Sequence, residues 1–158
     1  MSRLKTILTH PLLALALRLY MGGVFLYASM GKITYTGEFA NTIASYSILP
    51  YWLVNFTAVV LPWIELICGI LLLAGIRVKT AALSIIAMLA VFASAIGVNL
   101  LRGTPIGCGC FSSLEDAMSL MTLLRDLIWL GMTLHVFYYD RWFQLERKLL
   151  LSIKEVEP

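Results

Sequence analysis

Four apolar runs of roughly 20 residues or more dominate the chain and leave it few folds to choose from. They cover about residues 11–30, 51–74, 80–101 and 117–139. At about 1.5 Å of rise per residue, each can cross a hydrocarbon core about 30 Å thick. A soluble core helix is apolar along one stripe, whereas these runs are apolar nearly all round. Only 13% of the residues are charged, against about 25% in an ordinary soluble domain. The fold class is therefore all-α: an integral membrane four-helix bundle with short amphipathic interfacial helices, one domain over residues 1–158. The first run carries Arg18 and lacks a small-residue cleavage site, so it reads as a retained span and not as a cleaved signal peptide.

Orientation follows from Lys and Arg in the connections. Arg3, Lys5, Arg77, Lys79, Arg141, Arg147, Lys148 and Lys154 fall on one side, and Lys32 and Arg102 on the other. The positive-inside rule then puts both termini in the cytoplasm and the first and third loops outside, facing the periplasm or its equivalent. No basic cluster with interleaved aromatics points to nucleic acid. Lipid is the expected surrounding.

The first loop carries Phe39, Ile43, Tyr46 and Leu49 at helical spacing, stopped by Pro50, which predicts a short amphipathic helix at the outer interface. Trp142, Leu145, Leu149, Ile153 and Val156 repeat the pattern in the tail, residues 140–158. Gly22, Gly23, Gly69, Gly97 and Gly131 lie within spans, where small residues let helix backbones approach.

The third loop reads R-G-T-P-I-G-C-G-C-F-S-S and holds two of the three cysteines, Cys108 and Cys110. Joining residues i and i+2 through a disulfide needs a bent backbone, which Gly107 and Gly109 make easy. A bridge closing so small a ring is strained, and strained bridges are the labile, exchanging ones. The patterns Ser112-x-x-Glu115 and Ser113-x-x-Asp116 predict a helix start just beyond, where unpaired N–H groups favour a thiolate on Cys110. Arg102 adds positive charge, while Glu115 and Asp116 oppose it. The same thiols suit a soft metal such as copper(I) or mercury, with Met118 or Met121 one turn further on. A small structural bridge or two unrelated thiols are the remaining readings, and a bridge this short constrains little chain entropy. Thiol–disulfide exchange is the reading preferred. Cys68, deep in the second span, reads as a small buried hydrophobe.

Charges inside the spans cost about 2.5–3.5 kcal/mol each at the bilayer centre unless paired or hydrated. Arg18 is seven residues from the start of the first span and Glu65 nine from the end of the second. Those similar depths predict an Arg18–Glu65 ion pair. Arg125 and Asp126 lie near the outer end of the fourth span, where Arg125 could hold a quinone carbonyl or snorkel to the interface. Glu65 and Asp126 could serve a proton route.

Three stretches together resemble the MauE branch of the DoxX-like membrane proteins: R-L-Y-M-G-G-V-F-L-Y-A-S-M-G-K-I, L-P-W-I-E-L-I-C-G-I-L-L-L-A-G and R-G-T-P-I-G-C-G-C-F. The likeness covers about residues 12–135, and C-G-C-F is its most specific part. Pro62, Glu65 and Gly69 supply the second motif, while Ser112 stands where the family often has glycine after Phe111. The resemblance implies a four-helix membrane protein that works on disulfides outside the cytoplasm. Its implied partner is a periplasmic thioredoxin-like protein or a disulfide-containing client, and a quinone is the cofactor to consider. A non-catalytic assembly factor is the other class it leaves open. One C-x-C pair, without a second outer pair, speaks against a relay inside the protein.

Overall fold

The computed structural model describes residues 11–47, 49–102 and 120–140, and the regular structure among them is all helical. In chain order, α1 spans Pro11–Thr34, α2 Thr36–Ser45, α3 Tyr51–Ala74, α4 Val78–Arg102 and α5 Leu120–Tyr139. Among the described residues, α1, α3 and α4 are long and apolar enough to cross a membrane. α5 packs beside them against α1 and α4, so the four long helices form a ring in the order α3, α1, α5, α4. α1 and α3 make its most extensive contact, α3 and α4 its weakest.

The packing explains the composition. Met21, Phe25, Leu72, Ala82, Ile85 and Val136 fill the interior, while Phe56, Val91, Leu101 and Ile128 stay exposed. Large apolar side chains facing outward on every side suit a surrounding of lipid and not of water. α1 and α3 meet backbone to backbone at Gly22 and Gly69: a Cβ on Gly69 would lie 3.1 Å from the Gly22 carbonyl oxygen. α3 ends at Gly75, whose φ of 71° closes a left-handed cap. There the Gly75 and Ile76 N–H groups donate to the Leu72 and Leu71 carbonyls.

Two boundaries differ from the sequence reading. α1 continues past Met30 to Thr34, because Lys32 is carried on its buried face and not in a loop. α4 starts at Val78, directly after the turn at Gly75. The amphipathic helix of the first loop is α2, with Phe39, Ile43 and Tyr46 buried against α3 and α4. The start of the fourth run at residues 117–119 and the tail beyond Asp140 lie outside the described residues.

Candidate functional site

At one end of the bundle the C-terminal ends of α1 and α4 meet α2 and the N-terminal ends of α3 and α5. Here Lys32 Nζ donates to both carboxylate oxygens of Glu65, at 2.6 and 2.8 Å. Helical side chains tilt toward their own N-terminus. On antiparallel α1 and α3, that tilt points Lys32 and Glu65 toward each other from different depths. Both are buried. The ammonium also lies 5.1 Å from the Phe39 ring and 5.3 Å from the Phe92 ring, a partly aromatic surround that favours a cation.

Asp126 of α5 is buried beside this pair. It lines a small cavity with Lys32, Glu65, Met88, Phe92 and Trp129. The cavity holds about 40 Å³, room for about one water among groups able to bind it. Arg125, the next residue, points elsewhere: its guanidinium lies 4.8 Å from the Trp129 ring and its side chain is 34% exposed. It reaches Asp126 Oδ1 only at 3.3 Å, through Nε and Nη2. Adjacent residues are about 100° apart around a helix, so one faces inward and the other outward.

Two further polar groups sit at this end. Asn99 is buried and donates to the Ala95 carbonyl at 2.9 Å. Tyr46, at the end of α2, packs against Ile96, Ala95 and Leu123. Burial, and then the negative charge of Asp126, pushes its phenol up to about 12.

The expected Arg18–Glu65 pair is replaced by two others. Arg18 Nη1 donates to Asp140 Oδ2 at 2.9 Å, both buried, at the opposite end of the bundle. Glu65 takes Lys32. The Gly22–Gly69 contact explains the correction. Arg18 lies four residues before Gly22 and Glu65 four before Gly69. Because the helices are antiparallel, those steps run in opposite directions and separate the two by about 12 Å along the axis. The depths counted from the ends of the runs missed this, since those ends are not level: Gly22 lies 11 residues from Pro11 and Gly69 five from Ala74, an offset of about 9 Å.

Of the other site residues, Arg102 is the last residue of α4, and Gly107, Cys108, Gly109, Cys110 and Phe111 lie outside the described residues. Cys68 belongs to the hydrophobic core. Among the described residues, no three His, Cys, Asp or Glu side chains are grouped to hold a metal ion.

Sequence reasoning missed Lys32 and Asp140. For Lys32 a signal existed: Met21, Phe25, Ser29 and Lys32 recur at steps of four, four and three, one helix face, and all are buried. For Asp140 none did, because its partner is 122 residues away and a carboxylate at a helix end reads as solvated.

The family profile described as methylamine utilisation protein MauE matches residues 10–139. The chain is 32% identical over 131 residues to the methylamine utilization protein MauE of Paracoccus denitrificans, covering 82% of this chain and 70% of that protein. With the protein of the same description from Methylophilus methylotrophus the identity is 34% over 137 residues, covering 84% and 72%. No solved structure matches the chain.

Proposed function

The chain belongs to the MauE family, and from that premise we propose that it is a membrane thiol–disulfide exchange protein serving methylamine utilisation. The pair Cys108 and Cys110 does the exchange, on the outer face of a bacterial inner membrane, with a thioredoxin-like protein or a disulfide-containing client as partner. The observation that carries the proposal is C-G-C in the segment joining the ends of α4 and α5, the helices that bear Asn99 and Asp126. α5 acts as the fourth span. Burial of Lys32 leaves Arg102 as the one basic residue outside the spans on the outer side, against eight on the other, which supports cytoplasmic termini.

In the exchange, a thiolate of the reduced partner attacks the Cys108–Cys110 disulfide. One S–S bond breaks as a mixed disulfide forms, and the leaving thiolate takes up a proton. The partner's second thiolate then attacks the mixed disulfide, leaving the partner oxidised and the C-G-C pair reduced; the reverse direction uses the same steps. Proton transfer accompanies each cycle, and the Lys32–Glu65–Asp126 cluster supplies buried groups able to take part.

Cys108→Ser and Cys110→Ser single variants are expected to trap a mixed disulfide with the partner, identifiable by non-reducing electrophoresis and mass spectrometry. The double variant is expected to trap nothing and to lose the exchange. If the double variant supports exchange as well as the parent chain, the proposal fails. Tight one-to-one copper(I) binding without any redox cycling would replace it with a soft-metal role.

A further inference from the structure

The weakest seam of the ring, between α3 and α4, opens into a groove of about 330 Å³ beneath α2. Ile43 and Tyr46 from α2, Thr57 and Leu61 from α3 and Val91 and Ala95 from α4 form much of its wall, and the lining surface is wholly apolar. Val91 is 69% exposed, and Ala87 at the deep end is exposed as well. The groove is therefore reached sideways, from the surroundings of the bundle.

Depth decides what those surroundings hold. Tyr51 and Trp52, at the start of α3, are highly exposed, and aromatic residues so placed sit at headgroup level. Thr57 and Leu61 follow Tyr51 by six and ten residues, which puts them about 9 and 15 Å further down. The antiparallel α4 agrees. Ala95 and Ala87 are seven and 15 residues back from Arg102, its last residue, or about 10 and 22 Å down. Half of a hydrocarbon core about 30 Å thick is about 15 Å. The groove thus lies in the deeper half of one leaflet and reaches the midplane, where lipids present only the ends of their chains. A polar ligand would lose its hydrogen bonds to water there and gain none, whereas a hydrocarbon needs none. A helix is too large, since a 12 Å length of one about 10 Å across fills about 900 Å³.

We propose that the α3–α4 seam is a phospholipid acyl-chain site. One chain from the leaflet on the α2 side passes beside α2 and seats its end between α3 and α4, completing a contact that the two helices leave open. Ile43 and Tyr46 then rest on the chain, which helps to hold α2 in place. Phe92 has the groove on one side and Lys32 on the other, with Nζ 5.3 Å from its ring. The chain therefore backs the aromatic wall of the Lys32–Glu65 pair. This role is independent of the thiol chemistry.

The test uses the full chain in phosphatidylcholine nanodiscs containing a phosphatidylcholine with a diazirine near the end of one acyl chain. Labelling is expected to concentrate on the peptides holding Leu61 and Val91, about tenfold above the outward faces of α1 and α5. The same lipid with its diazirine beside the glycerol is expected to leave those peptides unlabelled. Ala87→Trp fills the deep end from an exposed position and is expected to cut the labelling about tenfold. Ala90→Trp, exposed on α4 but off the groove, is expected to change nothing. Native mass spectrometry of the detergent-extracted parent chain is expected to show one retained phospholipid, absent from Ala87→Trp. Even labelling of all lipid-facing helices, or equal effects of Ala87→Trp and Ala90→Trp, would overturn the site. So would displacement of the label by a free prenol but not by phospholipid, which makes the occupant an isoprenoid. Cross-linking of two copies through a cysteine placed at Ala87 would hand the groove to a second copy instead.

Discussion

At one end of the bundle Arg18 and Asp140 close on each other at 2.9 Å, and at the other Lys32 sits between both oxygens of Glu65 at 2.6 and 2.8 Å. Arg18 ties α1 to the residue that follows α5, next to a core of Met21, Phe25 and Val136. Lys32 has aromatic rings around it, a small cavity beside it and Asp126 as a second carboxylate on that cavity. Both pairs face the same desolvation penalty and both fasten helices. Among the described residues, the second pair has room and an additional acid next to it. Both pairs join helices, and the difference between them is the setting, which at Lys32 offers space and a second carboxylate.

The largest effect comes from stranding one partner. Asp140→Ala and Lys32→Met are each expected to destabilise the protein by about 3–5 kcal/mol, because a buried charge is left without its counterion. Chemical denaturation in micelles measures it, and the Lys32→Met/Glu65→Leu double variant is expected to recover most of the loss. If either single variant is as stable as the parent chain, the two pairs are not equivalent locks.

Asp126→Asn sharpens the chemical side of the comparison. It keeps the shape and removes the acid, and the thiol-exchange rate is expected to fall about 10²-fold, the lower end of general acid–base contributions. Asp140→Asn, at the opposite end, is expected to leave the rate per folded molecule unchanged. A stopped-flow exchange assay in which both substitutions slow the reaction equally would erase the distinction.

The smallest effect is a titration. Tyr46 has its phenol raised to about 12, so the folded state holds the neutral form while the unfolded chain ionises near 10. Below pH 10 both states are protonated and stability does not depend on this group. As pH rises from 10 toward 12 the unfolded state loses its proton first, and about 2–3 kcal/mol of stability is lost across that window. Tyr46→Phe is expected to flatten the slope there, read by denaturation midpoints at pH 9 and 11.

Much of this architecture was legible before any coordinates. Apolar runs announced the long helices, and the spacing of Phe39, Ile43 and Tyr46 announced α2, since both signals are local and periodic. The ion pairs were not legible, because a charge in a span says only that some partner exists. Which partner depends on helix register, and register is set by side-chain volume at a contact such as Gly22–Gly69. Lys32 illustrates the difficulty: its spacing from Met21, Phe25 and Ser29 marks the buried face, but nothing local names Glu65 as the partner that makes its burial tolerable.

The backbone contact at Gly22 and Gly69 also sets how the protein meets membranes of different thickness. A main-chain oxygen and nitrogen lie 3.1 Å from where a Cβ on Gly69 would go, and unlike side chains they cannot fold aside. Sliding α1 along α3 by a full turn would bring Arg18 or Leu26 to the place Gly22 occupies. The pair behaves as an index stop, holding Arg18 and Lys32, 14 residues apart on α1, at depths about 21 Å apart. A thinner bilayer is then accommodated by tilting the whole bundle, and the two charged layers keep their separation along the helix axis.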